Sequence, residues 1–250
     1  MSEHKTVLIT GGSRGIGAET AKLFAQNGFS VCINYKSNDA AAASTLDMIS
    51  HYGPRCISVK ADVSVGDEVN RMFDEVERTL GAPFVLVNNA GVLQQQCRLV
   101  DMSEARFAEI LRTNVMSCFL CCREAVKRMS TRLGGSGGVI VNVSSGAAKS
   151  GSPNEYIDYA ASKGAIDTLT RGLALEVANE GIRVNAVRPG LIYTDIHAAG
   201  GEPDRVNRLS SKIPMQRGGQ PSEVAEAIYW LGTDKSSFVT GSFIDPSGGL

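Results

Sequence analysis

Thr6-Val-Leu-Ile-Thr-Gly-Gly-Ser-Arg-Gly-Ile-Gly17 is the stretch that decides the fold. Thr6 to Thr10 is a short, β-branched apolar run that reads as a strand. Gly11, Ser13, Arg14, Gly15, Ile16 and Gly17 follow at once. Ala18, Ala21, Leu23, Phe24 and Ala25 then mark the apolar face of a helix that stops near Asn27-Gly28. Strand, glycine turn and helix in that order make a dinucleotide-binding start. Backbone amides in the turn can approach a pyrophosphate, and the helix N-terminus favours its charge. The spacing Gly11-x3-Gly15-x-Gly17 differs from the common G-x-G-x-x-G, and no Gly-Lys-Ser/Thr follows to make a triphosphatase loop. A tight turn without a ligand is the plain alternative, and the rest of the chain has to decide.

Outward from this unit, strand and helix patterns alternate. Strands are expected at 6–10, 30–35, 55–60, 83–88, 138–144, 182–187 and 242–245, and helices at 15–27, 38–51, 66–80, 103–132, 155–180 and 221–232. The apolar strands lack two-residue alternation, as strands buried on both faces do. The pattern predicts an α/β fold: a single doubly wound, Rossmann-type domain over 1–250, with a seven-stranded parallel sheet, helices on both faces and right-handed crossovers. The long irregular stretch at about 193–219 follows a strand's C-terminal end, where ligands bind in such sheets, and reads as a substrate lid.

Tyr159 and Lys163 carry the clearest chemical signal. Four residues apart on a helix, they point the same way. A phenol titrates near 10, and an adjacent ammonium should lower that value, making a proton-transfer device for a hydroxyl or carbonyl oxygen. Asn114 is a poor residue in the helical run of Phe107, Ile110, Leu111, Val115, Cys118 and Phe119. A local break there would free a backbone carbonyl to hold water. Ser144 and Ser145 end a buried strand, and alternation lets only one of them reach a pocket.

With Asn88-Asn-Ala-Gly91 and Arg188-Pro-Gly-Leu-Ile-Tyr-Thr194 added, the chain resembles the short-chain dehydrogenase/reductase family along its whole length, in the subgroup of about 250 residues. It looks most like bacterial members described as glucose-dehydrogenase-like or simply as oxidoreductases. The resemblance implies that Tyr159 is the general acid/base, that Lys163 lowers its pKa and bonds the nicotinamide ribose, and that Ser145 polarises the substrate oxygen. It further implies that Asn114 serves a proton relay from Lys163 to solvent. By the same resemblance Asp62 and Val63 stand near the adenine, and Asn89, Ala90 and Gly91 beside the adenosine ribose, with Gly91 mainly a turn. Pro189, Gly190, Ile192 and Thr194 stand near the nicotinamide amide and phosphates. NAD-specific sites end the second strand with an acidic residue, whereas Tyr35 and then Lys36 stand here, and Arg14 can reach the same place. NADP(H) is therefore the expected cofactor, with NAD(H) tolerated.

The expected activity is interconversion of a carbonyl and a secondary alcohol. Narrower readings are a 3-oxoacyl thioester reductase or a sugar dehydrogenase, and a dinucleotide-sensing regulator is the non-enzymatic alternative. Gln94 to Gln96, Gly146 to Tyr156 and the lid after Thr194 should form the substrate pocket. A net charge of −1 offers no footprint for nucleic acid, and no apolar stretch approaches the roughly 20 residues that span a bilayer. The chain enters its first strand within a few residues, so a cytoplasmic protein without a signal peptide is expected. Three histidines and no second Cys-x2-Cys leave the six cysteines without a metal site to complete, so they read as buried small apolar residues. Val115, Cys118, Phe119, Cys122 and Val126, with Ile166, Leu169 and Leu173, exceed what one sheet face can cover. Family members pair these helices and join dimers through the C-terminal segment, here 243–250, so a homotetramer is expected.

Overall fold

The apolar runs form strands with helices on both sides. In the computed structural model, which describes residues 4–250, these strands are β1 (Thr6–Ile9), β2 (Ser30–Tyr35), β3 (Cys56–Lys60), β4 (Pro83–Asn88), β5 (Gly138–Val143), β6 (Ile182–Val187) and β7 (Phe243–Ile244). They make one all-parallel sheet in the order β3-β2-β1-β4-β5-β6-β7. The order reverses between β1 and β4, which places a crevice at their C-terminal ends.

Alternate residues of each strand feed opposite cores. Leu8, Leu86, Ile140 and Val184 pack on one face. Val7, Ile9, Val85, Val87, Val139 and Val141 pack on the other. Both sets are at most 2% exposed, so the strands are buried on both sides as the sequence suggested.

Helix α1 (Gly15–Gln26) and helix α2 (Asp39–Ser50) cover the second face, and α3 (Gly66–Leu80) covers the first. The expected 103–132 helix is three pieces: α4 (Glu104–Leu111), a π-helical turn (Arg112–Met116) and α5 (Ser117–Met129). A short α6 (Ala147–Ser150), which the sequence did not announce, precedes α7 (Ile157–Val177). The stretch read as a lid holds two short helices, α8 (Ile196–Ala199) and α9 (Arg205–Leu209), before α10 (Pro221–Gly232). Among the described residues no helix is long and apolar enough to cross a membrane, and no group of His, Cys, Asp and Glu could hold a metal ion. Cys32, Cys118, Cys121 and Cys122 are buried thiols, whereas Cys56 and Cys97 are only half-buried.

Candidate active site

The C-terminal ends of β1, β4, β5 and β6 open into a cavity of about 740 Å³, within the range of small-molecule sites. Tyr159 and Lys163 lie in the first turns of α7 and both line it. Tyr159 is half-buried, and the Ser145 hydroxyl is within hydrogen-bonding reach of its phenol. Ser144 also borders the cavity, but it is 2% exposed and its hydroxyl donates to the Lys163 backbone carbonyl at 3.3 Å. Of the two serines, Ser145 is the one facing the phenol.

The electrostatics differ from the expectation. Burial pushes the Tyr159 phenol up to about 12, and only the Ser145 hydrogen bond pulls it down. Lys163 does not lower it. Its ammonium lies 5.5 Å from the centre of the Tyr159 ring and donates to the Val143 carbonyl at 2.8 Å. Burial brings Lys163 itself down to about 8. At neutral pH the pair is a protonated phenol beside a still largely charged ammonium.

Asn114 sits at the centre of the π turn, fully buried, and does not line the cavity. Its Oδ1 accepts from Val92 N (2.8 Å), and its Nδ2 donates to Val92 O (3.1 Å) and Ser162 Oγ (3.0 Å). The helix does break there, as expected. The Asn114 carbonyl accepts a long bond of 3.4 Å from Ser117 Oγ, whose shorter bond of 2.5 Å goes to Thr113. Gly91 is not a positive-φ turn, and a Cβ there would stand 3.5 Å from both Asn114 Oδ1 and Lys163 Nζ, an ordinary contact, so neither backbone nor space demands a glycine.

The glycine turn fits a pyrophosphate-bearing ligand. Gly11 and Gly15 have φ of +61° and +54°, a region costly to residues with a Cβ, and the first turn of α1 carries no Asp or Glu. Gly11, Ser13, Arg14, Gly15 and Ile16 line the cavity. Gly17 does not, contrary to expectation. A Cβ there would meet the Gly11 carbonyl at 2.4 Å, so its role is to let α1 close against the turn. Asn89 also faces the turn, donating from Nδ2 to the Thr10 and Gly11 carbonyls at 3.0 and 2.9 Å. The amides of Asn89 and Ala90 both donate to Thr10 Oγ1 at 3.0 Å, binding the end of β4 to that of β1. Pro189, Gly190, Ile192 and Thr194 line the opposite wall, and the Thr194 methyl lies 3.3 Å from where a Cβ on Gly15 would stand.

At the far end of the turn the charges are arranged differently from the sequence reading. Tyr35, Lys36, Asp62 and Val63 all line the cavity. Lys36, however, is paired with Asp62 at 2.8 Å. Burial opposes ionisation of Asp62, yet hydrogen bonds from Lys36 and Ser64 outweigh it and hold the carboxyl at about 2. A carboxylate is also close by after all: Tyr35 donates to Asp39 at 3.0 Å, and Lys60 pairs with the same group at 3.0 Å. Arg14 is exposed and makes no ion pair among the described residues.

The substrate end is walled by Val92, Leu93, Tyr156, His197 and Arg205, with Ser247 and Leu250 from the C-terminus. Gln94, Gln95 and Gln96, expected there, lie outside it, and Gln96 donates to Glu202 at 2.6 Å instead. No local motif marks Ser247 or Leu250. They arrive because β7 pairs with β6.

A family model described as enoyl-(acyl carrier protein) reductase matches residues 11–250. The chain is 57% identical over 242 residues to an uncharacterized oxidoreductase, YgfF, of Escherichia coli (strain K12), covering 97% of this chain and 98% of that one. It is 36% identical over 252 residues to an NADPH-dependent aldehyde reductase of Arabidopsis thaliana, covering 98% and 85%. It is 34% identical over 247 residues to a 3-oxoacyl-(acyl-carrier-protein) reductase of Staphylococcus epidermidis, covering 99% of each.

Proposed function

The chain belongs to the short-chain dehydrogenase/reductase family of nicotinamide-dependent oxidoreductases, and on that premise we propose that it interconverts a carbonyl and a secondary alcohol with NADP(H), Tyr159 being the general acid/base. The observation that carries this reading is the Tyr159 phenol facing Ser145 on the cavity wall, with Lys163 one turn further along α7. The bound nicotinamide supplies or accepts the hydride.

In reduction, the phenol at about 12 keeps its proton until a carbonyl oxygen gains charge, then donates it. The Ser145 hydroxyl donates to the same oxygen, in a bond that strengthens as the charge develops. The Lys163 ammonium holds ribose hydroxyls. Gly11, Ser13, Arg14, Gly15 and Ile16 hold the pyrophosphate end, with Asp62, Val63, Asn89, Ala90 and Gly91 along the adenosine half. Pro189, Gly190, Ile192 and Thr194 flank the nicotinamide. Asn114 acts from behind, by fixing Val92. The cations at the substrate end are already paired, Arg205 with Glu155 and Glu202 and Lys149 with Asp245, which supports an uncharged substrate.

Tyr159→Phe should lower kcat by about 10²–10⁴-fold while cofactor affinity stays within about twofold. Turnover near the parent's would overturn the assignment. NADP preference is supported by exposed Arg14 and by the name of the aldehyde reductase relative, whereas the Asp39 carboxylate bonded to Tyr35 counts against it. Pairing of Lys36 with Asp62 weakens its share of that support, since a 2′-phosphate must compete for it. Tyr35→Asp combined with Lys36→Ala should reduce kcat/KM for NADP about tenfold more than for NAD. An unmutated enzyme more efficient with NAD would reverse the choice.

A further inference from the structure

Tyr159 is the third residue of α7, in a first turn whose N-cap, Tyr156, offers no side-chain hydrogen bond. Helix ends fray where their amides lack partners. The first turn of α7 is held from outside instead. Asp158 is 1% exposed, and its Oδ1 accepts from the Tyr159 backbone amide at 2.9 Å. The same carboxylate takes a two-pronged grip from Arg106 of α4, at 2.7 Å from Nε and 3.3 Å from the second terminal nitrogen. The other terminal nitrogen of Arg106 donates to the Gln95 carbonyl at 2.7 Å and to Cys97 Sγ at 3.1 Å. One guanidinium therefore joins α4, the start of α7 and the segment whose Val92 and Leu93 line the cavity.

We infer that Arg106 is a positioning residue, setting the phenol of Tyr159 against the cavity through the Asp158 carboxylate. This rests on the reading of Tyr159 as the proton donor. Arg106 touches neither the phenol nor the cavity wall. Its effect passes through one backbone amide and through the register of residues 95–97. A planar fork holds a carboxylate in one orientation, which an ammonium of equal charge cannot do. A phenol displaced by a fraction of an ångström loses its alignment with the substrate oxygen, and proton transfer suffers while binding does not.

The test compares the parent with Arg106→Lys, Arg106→Ala, Asp158→Asn and Tyr159→Phe. The substrate is ethyl acetoacetate, or whichever of a panel of ketones, aldehydes and sugars the parent turns over. Cofactor affinity is followed by isothermal titration calorimetry and folding by thermal melting. Arg106→Lys and Asp158→Asn should lose about tenfold or more in kcat, with the cofactor Kd within about threefold. Guanidinium chloride at tens of millimolar should restore kcat about threefold or more in Arg106→Ala, by refilling the fork's place, and should not help Tyr159→Phe. If Arg106→Ala does not fold, the lysine and asparagine variants carry the test, because both keep the volume. If kcat stays within about twofold in both while Tyr159→Phe is inactive, the positioning role is wrong and the Tyr159 reading stands. If kcat and cofactor affinity fall in step, Arg106 merely supports the fold and the inference fails. An active Tyr159→Phe removes both.

Discussion

Burial, more than the company it keeps, sets the chemistry of Lys163. Its ammonium titrates at about 8 against an ordinary 10.5, so the unfolded chain binds more protons between those two values. The stability that Lys163 withholds is therefore recovered as pH rises through that window, and at neutral pH the charged group costs about 3 kcal/mol. Lys163→Met should remove that cost and leave the Val143 carbonyl without its donor, which returns about 1–2 kcal/mol. The net expectation is an inactive protein more stable by about 1–2 kcal/mol in urea denaturation. An inactive variant that is also less stable would contradict it. Activity should follow the same group: reductive kcat/KM is expected to fall as pH rises through about 8, because the ammonium is lost there while the phenol keeps its proton to about 12. A profile flat to pH 10 would contradict that. The residue pair was legible in the sequence from its four-residue spacing. The direction of its titration was not, because spacing says which groups are neighbours and nothing about how much water reaches them. The partners of Lys36 and Tyr35 were illegible for a similar reason. Asp62 and Asp39 come to the end of β2 from other elements.

At the scale of elements, the break at Asn114 was readable because an amide has no reason to sit within an apolar helical face. Its form was not readable. The turn is π-helical, and the amide spends its hydrogen bonds on Val92 and Ser162, which only the tertiary fold brings near. Asn114→Ala should remove three hydrogen bonds, two of them to the backbone of Val92, at a cost of about 2–4 kcal/mol. Hydrogen exchange at the Val92 amide should quicken well beyond the change at the strand cores. Loss of less than about 1 kcal/mol with Val92 still protected would show that the bulge holds itself. The short helices α6, α8 and α9 escaped the sequence reading because five residues or fewer cannot display a helical period.

For the whole molecule, the layer order was legible almost throughout, since alternating strand and helix patterns permit few right-handed arrangements. The surface left over for partners was less so. Cys118, Cys122 and Ile166, expected to meet another copy, are at most 3% exposed within this chain. Met116, Phe119 and Leu175 remain outside at 46%, 45% and 78%, and Phe238 is fully exposed. We propose that these surfaces assemble a homotetramer. Light scattering at micromolar protein should report four chains, and Phe119→Glu should lower that number; a monomeric parent would refute it. The strand order also governs how the protein is born. β1 leaves the ribosome first yet ends in the sheet's interior, and it cannot gain its second neighbour until Asn88 has been made. By then the nascent chain holds every strand on the glycine-turn side, while the catalytic side is still unsynthesised. Until β5 emerges, Val85, Leu86 and Val87 form an apolar, unsatisfied edge, open to any passing strand. A translational pause or truncation between β4 and β5 would therefore release the chain at its stickiest, and chaperone demand during synthesis should peak in that interval.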